Sequence, residues 1–403
     1  MINRIVLLLL LTGLAWSQDC TADDGTPGVE LMGECYSIEN TTVIDRSWEN
    51  RVDTISPGIG LLTNLTSLNL CCNQLTGDIP SEIGLLTDLT YMDLHWNQLT
   101  VIPPEIGDMT SLTYLDLHMA VTGPHIGMAV PSEIGNLINL TYLDLSDNEL
   151  GCQDYNWLGN WQTDNCRRHC DDTDECSAAI PPEIGNLPNL SALNVWATLL
   201  EKLPPEIGNL SNLKRLWLWN INFTPVDALP SEIGRLRNLT SLFICGHKLT
   251  HLPPEIGDLC NLTELSLIGS GPAALPAEIG RLKKLEKLHI AGWNFTVLPP
   301  EIGELTNLKK LILINTPVRE LPAEIGNLTE LEELRIHSLP LETLPAEIGD
   351  LTNLKELNIA GVPLKTLPAE IGKLSKLTKL TIRKADHQRL RTYIKQFPNL
   401  ETL

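Results

Sequence analysis

The sequence predicts an α/β solenoid, with a parallel sheet on one face of a stack of coils and short helical turns on the other. Three observations carry this. The triplet Glu-Ile-Gly occurs twelve times, headed by Glu82, Glu105, Glu133, Glu183, Glu206, Glu232, Glu255, Glu278, Glu301, Glu324, Glu347 and Glu370. From Glu232 onward the step is always 23 residues, and a fixed period of this length marks stacked units that cannot bury their apolar faces alone. Each period also holds a short run of apolar–polar alternation, which is a strand with one buried face.

One period, Leu344 to Leu367, shows how a coil is built. Leu357 and Ile359 are expected to point inward, with Glu356, Asn358 and Ala360 outward. Pro-x-Glu-Ile-Gly-x-Leu then turns the chain back. Proline suits the first helical position, so Pro368 is expected there, with Glu370 near the positive end of a short helix. Ile371 and Leu374, three apart, share the inward face. Gly372 permits a tight turn or the close approach of a neighbouring coil. Thirteen such strands, about 4.8 Å apart, make a sheet roughly 60 Å long.

The pattern Leu-x-x-Leu-x-Leu-x-x-Asn-x-Leu stands intact at Leu65 to Leu75 and Leu140 to Leu150, and with Met92 at the second leucine from Leu89 to Leu99. With so many copies, the chain from about Thr41 to its end resembles the leucine-rich-repeat family. The resemblance implies a right-handed horseshoe with a concave parallel sheet and convex helical turns. Gln74 to Pro80 looks like the plant-type extracellular class, while the later Leu-Pro-Ala-Glu-Ile-Gly units look like bacterial and Ras-group-related repeats. The family's asparagine, which bonds the loops of adjacent coils, is present at Asn73, Asn97 and Asn148. Elsewhere the slot holds other residues, among them Ala120, Trp293, Thr316, Leu339 and Val362.

Residues 1–17 read as a secretory signal, with Arg4, the apolar run Ile5 to Ala15, and a small-x-small site at Ala15-Trp16-Ser17. That run is too short to span a bilayer, so the mature chain is expected to be exported and not membrane-inserted. Residues 18–40 are expected to form a Cys-containing cap and 41–403 the solenoid, with about 13 full repeats and degenerate ends. The period is broken near 119–130, 151–179 and 224–228. All three insertions occupy the slot between a strand and the next Pro-x-Glu. They are expected to leave along one edge, where repeat proteins place binding loops.

Ten cysteines in an exported chain point to disulfides. The candidates are Cys20 and Cys35 in the cap, and Cys152, Cys166, Cys170 and Cys176 in the largest insertion, whose pairing the sequence leaves open. Cys71, Cys72, Cys245 and Cys260 lie within repeats and find no evident partner. Zinc on the insertion's cysteines and His169, or calcium on its acidic run from Asp171 to Glu175, is the weaker reading. Ten Asn-x-Ser/Thr sequons are glycan acceptors if the chain comes from a eukaryote, although repetition of Asn-Leu-Thr generates them unaided. The net charge of −21 is uneven: residues 281–403 hold 18 Lys+Arg against 15 Asp+Glu, and the remainder 11 against 35. An acidic front half argues against nucleic acid, which wants a basic face.

Outward strand positions name the candidate surface. They are Tyr91, Asp93 and His95; Tyr114, Asp116 and His118; Tyr142 and Asp144; then Trp196, Trp217, Trp219 and Phe243. Exposed tryptophans in a row cost solubility and suggest a contact surface. The expectation is a secreted, non-enzymatic recognition protein that binds a protein or peptide, or a glycan, on this face, with no cofactor. A structural or adhesive spacer is the alternative. His95 and His118 beside Asp93 and Asp116 could form a metal or acid/base pair, but an open sheet lacks a desolvated pocket, and no phosphate loop or nucleophile elbow appears.

Overall fold

The computed structural model describes residues 20–120, 130–148, 180–196, 203–219, 229–246, 249, 251–383 and 401–402. Residues 1–19, which include the expected signal, the bulk of the three insertions and the cysteines Cys152, Cys166, Cys170 and Cys176 therefore lie outside the described residues.

The chain winds into an open sheet of 15 strands, ordered along the sequence and parallel throughout. The two strands beyond the thirteen expected come from the ends, Val43–Asp45 before the first full repeat and Glu401–Thr402 after the last. The N-terminal strand keeps the apolar centre of the pattern, with Ile44 aligned to Leu68, whereas at the other end Thr402 stands opposite Leu380. Register is uniform: Leu68, Met92, Leu115 and Leu143 align, and so do Leu288, Leu311, Leu334 and Leu357. All of these are at most 1% exposed, and one continuous apolar core runs the length of the stack. Ile359 is buried beside Leu357, with Glu356, Asn358 and Ala360 on the other face, as alternation requires.

Each coil returns through a five-residue 3-10 turn, such as Ala346–Asp350 or Ala369–Lys373. Pro368 precedes its turn, at φ −64° and ψ 147°, and does not occupy the first helical position expected of it. Its fixed φ suits an extended entry equally well. Where two prolines are adjacent the second takes that position, as Pro104 does. The glycine of the triplet has a steric cause. A Cβ on Gly84 would stand 2.6 Å from the Glu105 carbonyl oxygen, and one on Gly280 2.7 Å from that of Glu301. The next coil's turn rests directly on this backbone.

Strands leave the sheet through a single left-handed residue just before the asparagine slot: Cys72, Trp96, Met119, Asp147, Asn315 and Ser338 among non-glycines, Gly292 and Gly361 among glycines. The three slot asparagines are buried and reach across coils. Asn97 donates from Nδ2 to the carbonyls of Leu70 (3.0 Å) and Leu94 (2.8 Å), and its Oδ1 accepts from the Leu75 N–H (3.0 Å). In three later coils the slot is apolar: Trp293, Leu339 and Val362 are at most 2% exposed. Gly271 leaves room for the Trp293 ring. Packing replaces the amide ladder there.

The first coil is sealed by a three-stranded antiparallel sheet of Cys20–Thr21, Pro27–Leu31 and Glu34–Ser37. A disulfide joins Cys20 to Cys35. Val29, Leu31 and Met32 enter the core beside Ile44 and Ile59. Arg46, 7% exposed at its side chain, pairs with Glu34 and with Glu49 (2.6 Å), tying this sheet to the first coil. Among the described residues no helix is long and apolar enough to cross a membrane.

Candidate functional site

Parallel register stacks the outward residues into columns, so a side chain repeated in each coil becomes a ladder. Tyr91, Tyr114 and Tyr142 are aligned neighbours. Their rings stack at 4.6 Å and 4.5 Å, with interplanar angles of 11° and 3°. Each hydroxyl donates to the aspartate of its own strand: Tyr91 to Asp93 (3.2 Å), Tyr114 to Asp116 (3.1 Å) and Tyr142 to Asp144 (2.9 Å). Burial, and then the adjacent aspartate charge, push all three phenols upward, so they remain donors.

The aspartates lie on the outward side of the sheet but are not displayed to solvent. Asp93, Asp116 and Asp144 are only 5–8% exposed, because the tyrosines lie over them. Their second oxygens are also engaged, by the backbone N–H groups of His95, His118 and Ser146. Asn194 donates to Asp144 at 2.7 Å. Burial raises the pKa of Asp116, and the charges of Asp144 and Asp93 add to this. What the first coils present is thus a tyrosine surface backed by buried carboxylates.

Further along, Trp217 is 43% exposed, and Trp219 and Phe243 are half-buried with ring centroids 5.8 Å apart. Trp196 pairs in register with Trp219. Beyond Phe243 the face changes character. Lys287 pairs with Glu264, Lys310 with Glu333 (2.8 Å), Arg335 with both Glu333 and Glu356, and Lys379 with Glu356 (3.1 Å). The column that carries tyrosine in the early coils is a charged one in the late coils, running Glu264, Lys287, Lys310, Glu333, Glu356 and Lys379.

His95 and His118 do not converge on one point. Their ring centroids are 6.5 Å apart, and His118 Nδ1 lies 3.5 Å from Asp147. His95 instead directs Nδ1 at Asp93 (2.6 Å) and Nε2 at the Cys72 thiol (3.2 Å). Sequence reasoning missed Cys71 and Cys72 here. It also missed Trp48 and Trp96, 71% and 47% exposed, which meet edge to face at 5.8 Å. Cys72 and Trp96 share the corner slot before the asparagine, a signal that was present in the sequence. An open polar groove of about 480 Å³ runs along the rim where strands begin, lined by Thr113, Asn139, Thr141, Asn189, Ser191 and neighbours.

Comparison with known proteins places this geometry. "Leucine-rich repeat region" matches residues 256–343, and "leucine rich repeat" matches residues 48–119 and 139–161. The solved structure of a leucine-rich-repeat protein of Leptospira interrogans is 31% identical, covering 87% of this chain and 81% of its own, with a TM-score of 0.57. The chain belongs to the leucine-rich-repeat family. The leucine-rich-repeat solenoid also aligns with an internalin of Listeria monocytogenes, InlF, at 19% identity over 92% and 89% of the two chains and a TM-score of 0.61. It aligns with the plant peptide hormone receptor RGFR1 in complex with RGF2 at 24% identity over 90% of this chain and 62% of that one, with a TM-score of 0.60. A search of curated proteins by sequence finds no match.

Proposed function

We propose that this chain is a secreted, non-enzymatic recognition protein whose concave sheet grips a protein or peptide between the tyrosine ladder and Trp217. The observation that carries the reading is Trp217 itself. It is a large apolar ring 43% exposed on a rigid strand, next in register to Phe243. An indole held that way gives contact area at little cost in conformational entropy, and such aromatics dominate binding energies at interfaces. The fully engaged Tyr–Asp ladder beside it supplies a preorganised wall. RGFR1, which shares the fold, is seen in complex with RGF2. Secretion rests on the N-terminal 17 residues and on the Cys20–Cys35 disulfide, which suits an oxidising compartment.

The ion-paired late coils favour a second role for that half alone, as a spacer, because the charges of its outward column, from Lys310 to Lys379, pair with one another. One experiment separates grip from spacer. The mature chain is used as bait in its native extracellular medium, beside the Trp217→Ala, Trp219→Ala double variant. Loss of a specific partner by about 30-fold or more in affinity, the scale of a hot spot of 2 kcal/mol, is expected. Undiminished capture by the variant would remove the proposed site.

A further inference from the structure

We propose that Cys71, Cys72 and His95 form a three-ligand site for a soft divalent cation, zinc before others, at the N-terminal end of the concave face. The two thiol sulfurs and an imidazole nitrogen lie within 4.8 Å of one another. A tetrahedral zinc at about 2.3 Å from sulfur and 2.0 Å from nitrogen sets its ligands roughly 3.5–3.8 Å apart. Small rotations of the side chains reach that spacing, since Cys72 Sγ and His95 Nε2 are already 3.2 Å apart.

The strongest observation is on the far side of the ring. His95 Nδ1 is bonded to the buried Asp93 at 2.6 Å. This fixes the tautomer that leaves Nε2 as an electron-pair donor facing the thiols, the carboxylate–histidine arrangement that supports metal ligands. Asp93, His95 and Asp116 form a second cluster of candidate ligands. It competes poorly, because Asp93 already occupies Nδ1 and the tyrosines cover both carboxylates. Cys71 is buried, while Cys72 and His95 are partly open, so the fourth coordination position faces solvent. Binding releases the two thiol protons to solvent and leaves a neutral zinc dithiolate. The site is independent of the recognition reading above and would stand if Trp217 bound nothing.

The test uses the full chain with its disulfides intact, freed of metal by a chelator and titrated with Co(II) under anaerobic conditions. One Co(II) per chain with thiolate-to-cobalt absorption, displaced by zinc, is expected. Cys72→Ser and His95→Gln should each lower affinity by at least about 100-fold, while circular dichroism confirms the fold. Asp93→Asn, acting through the ring, should weaken it about 10–100-fold with the absorption retained. Cys245→Ser with Cys260→Ser should change nothing. Absorption that survives the Cys72→Ser, His95→Gln double variant belongs to other cysteines and overturns the assignment. So does absence of uptake, or a Cys71–Cys72 disulfide found by peptide mass mapping of the native chain.

Discussion

A histidine on the outward face of a sheet ordinarily keeps both ring nitrogens in water, but half-buried His289 does not. Set in register between Ser266 and Ile312, it has Nε2 buried with no hydrogen-bond partner among the described residues. Burial, and then the Lys310 ammonium, hold its pKa below the ordinary 6.5. The sign of the linkage follows. Between its folded pKa and 6.5 the unfolded chain binds the proton more readily, so stability falls as pH drops through 6.5 and levels below the folded value. The denaturation midpoint should therefore decline between pH 7.5 and 5.5, and His289→Leu should remove part of that decline. An unchanged pH profile in the variant would show that the ring is solvated after all.

At the scale of the element, the corner after each strand shows two chemistries in one slot. Asn97 satisfies two carbonyls and an N–H of neighbouring turns; Asn97→Ala leaves Leu70 its bond from Asn73 (3.1 Å) but orphans the Leu94 carbonyl and the Leu75 N–H, and should cost about 2–3 kcal/mol in chemical denaturation. Thr316 fills the same slot, 1% exposed, with its hydroxyl unpartnered. Thr316→Val should then be neutral or stabilise by about 1 kcal/mol, measured the same way. The strand, the turn and their inward leucines were legible because each follows from a local period. Two kinds of feature were not. Asp93, Asp116 and Asp144 alternate outward as expected, yet alternation says nothing of what a neighbouring tyrosine covers. Likewise Cys72 meets His95 only because adjacent coils are in register, a contact between residues 23 positions apart that no local pattern encodes. Asn139, Asn189, Asn238 and Asn261, read first as sequons, turn out to donate to carbonyls of the preceding coil, which accounts for their recurrence.

For the whole molecule, stability is a sum over coils and their interfaces, so an end matters out of proportion to its size. Arg46 fastens the N-terminal sheet to the stack from a nearly buried position, with Glu34 half open to solvent. Arg46→Ala should destabilise that end by about 2 kcal/mol, less than the loss for a fully buried pair. Hydrogen exchange should quicken across residues 20–60 and stay unchanged across 300–380, since distant coils share no contact. A uniform acceleration would mean the stack melts as one unit.

The seat that each triplet glycine offers to the next coil's glutamate backbone has a consequence for length. Gly280 meets Glu301 much as Gly303 meets Glu324. Every joint in the tail is thus the same fitting, and the tail behaves like a chain of identical links. Cutting out residues 300–322 would bring Pro299 against Ala323 and restore Leu-Pro-Ala-Glu-Ile-Gly across the splice. The shortened molecule should fold, be about 4.8 Å shorter along the stack by small-angle scattering, and keep its aromatic end untouched. Reach and the proposed grip are then separate variables in this protein, one adjustable by counting links and the other by editing the rungs.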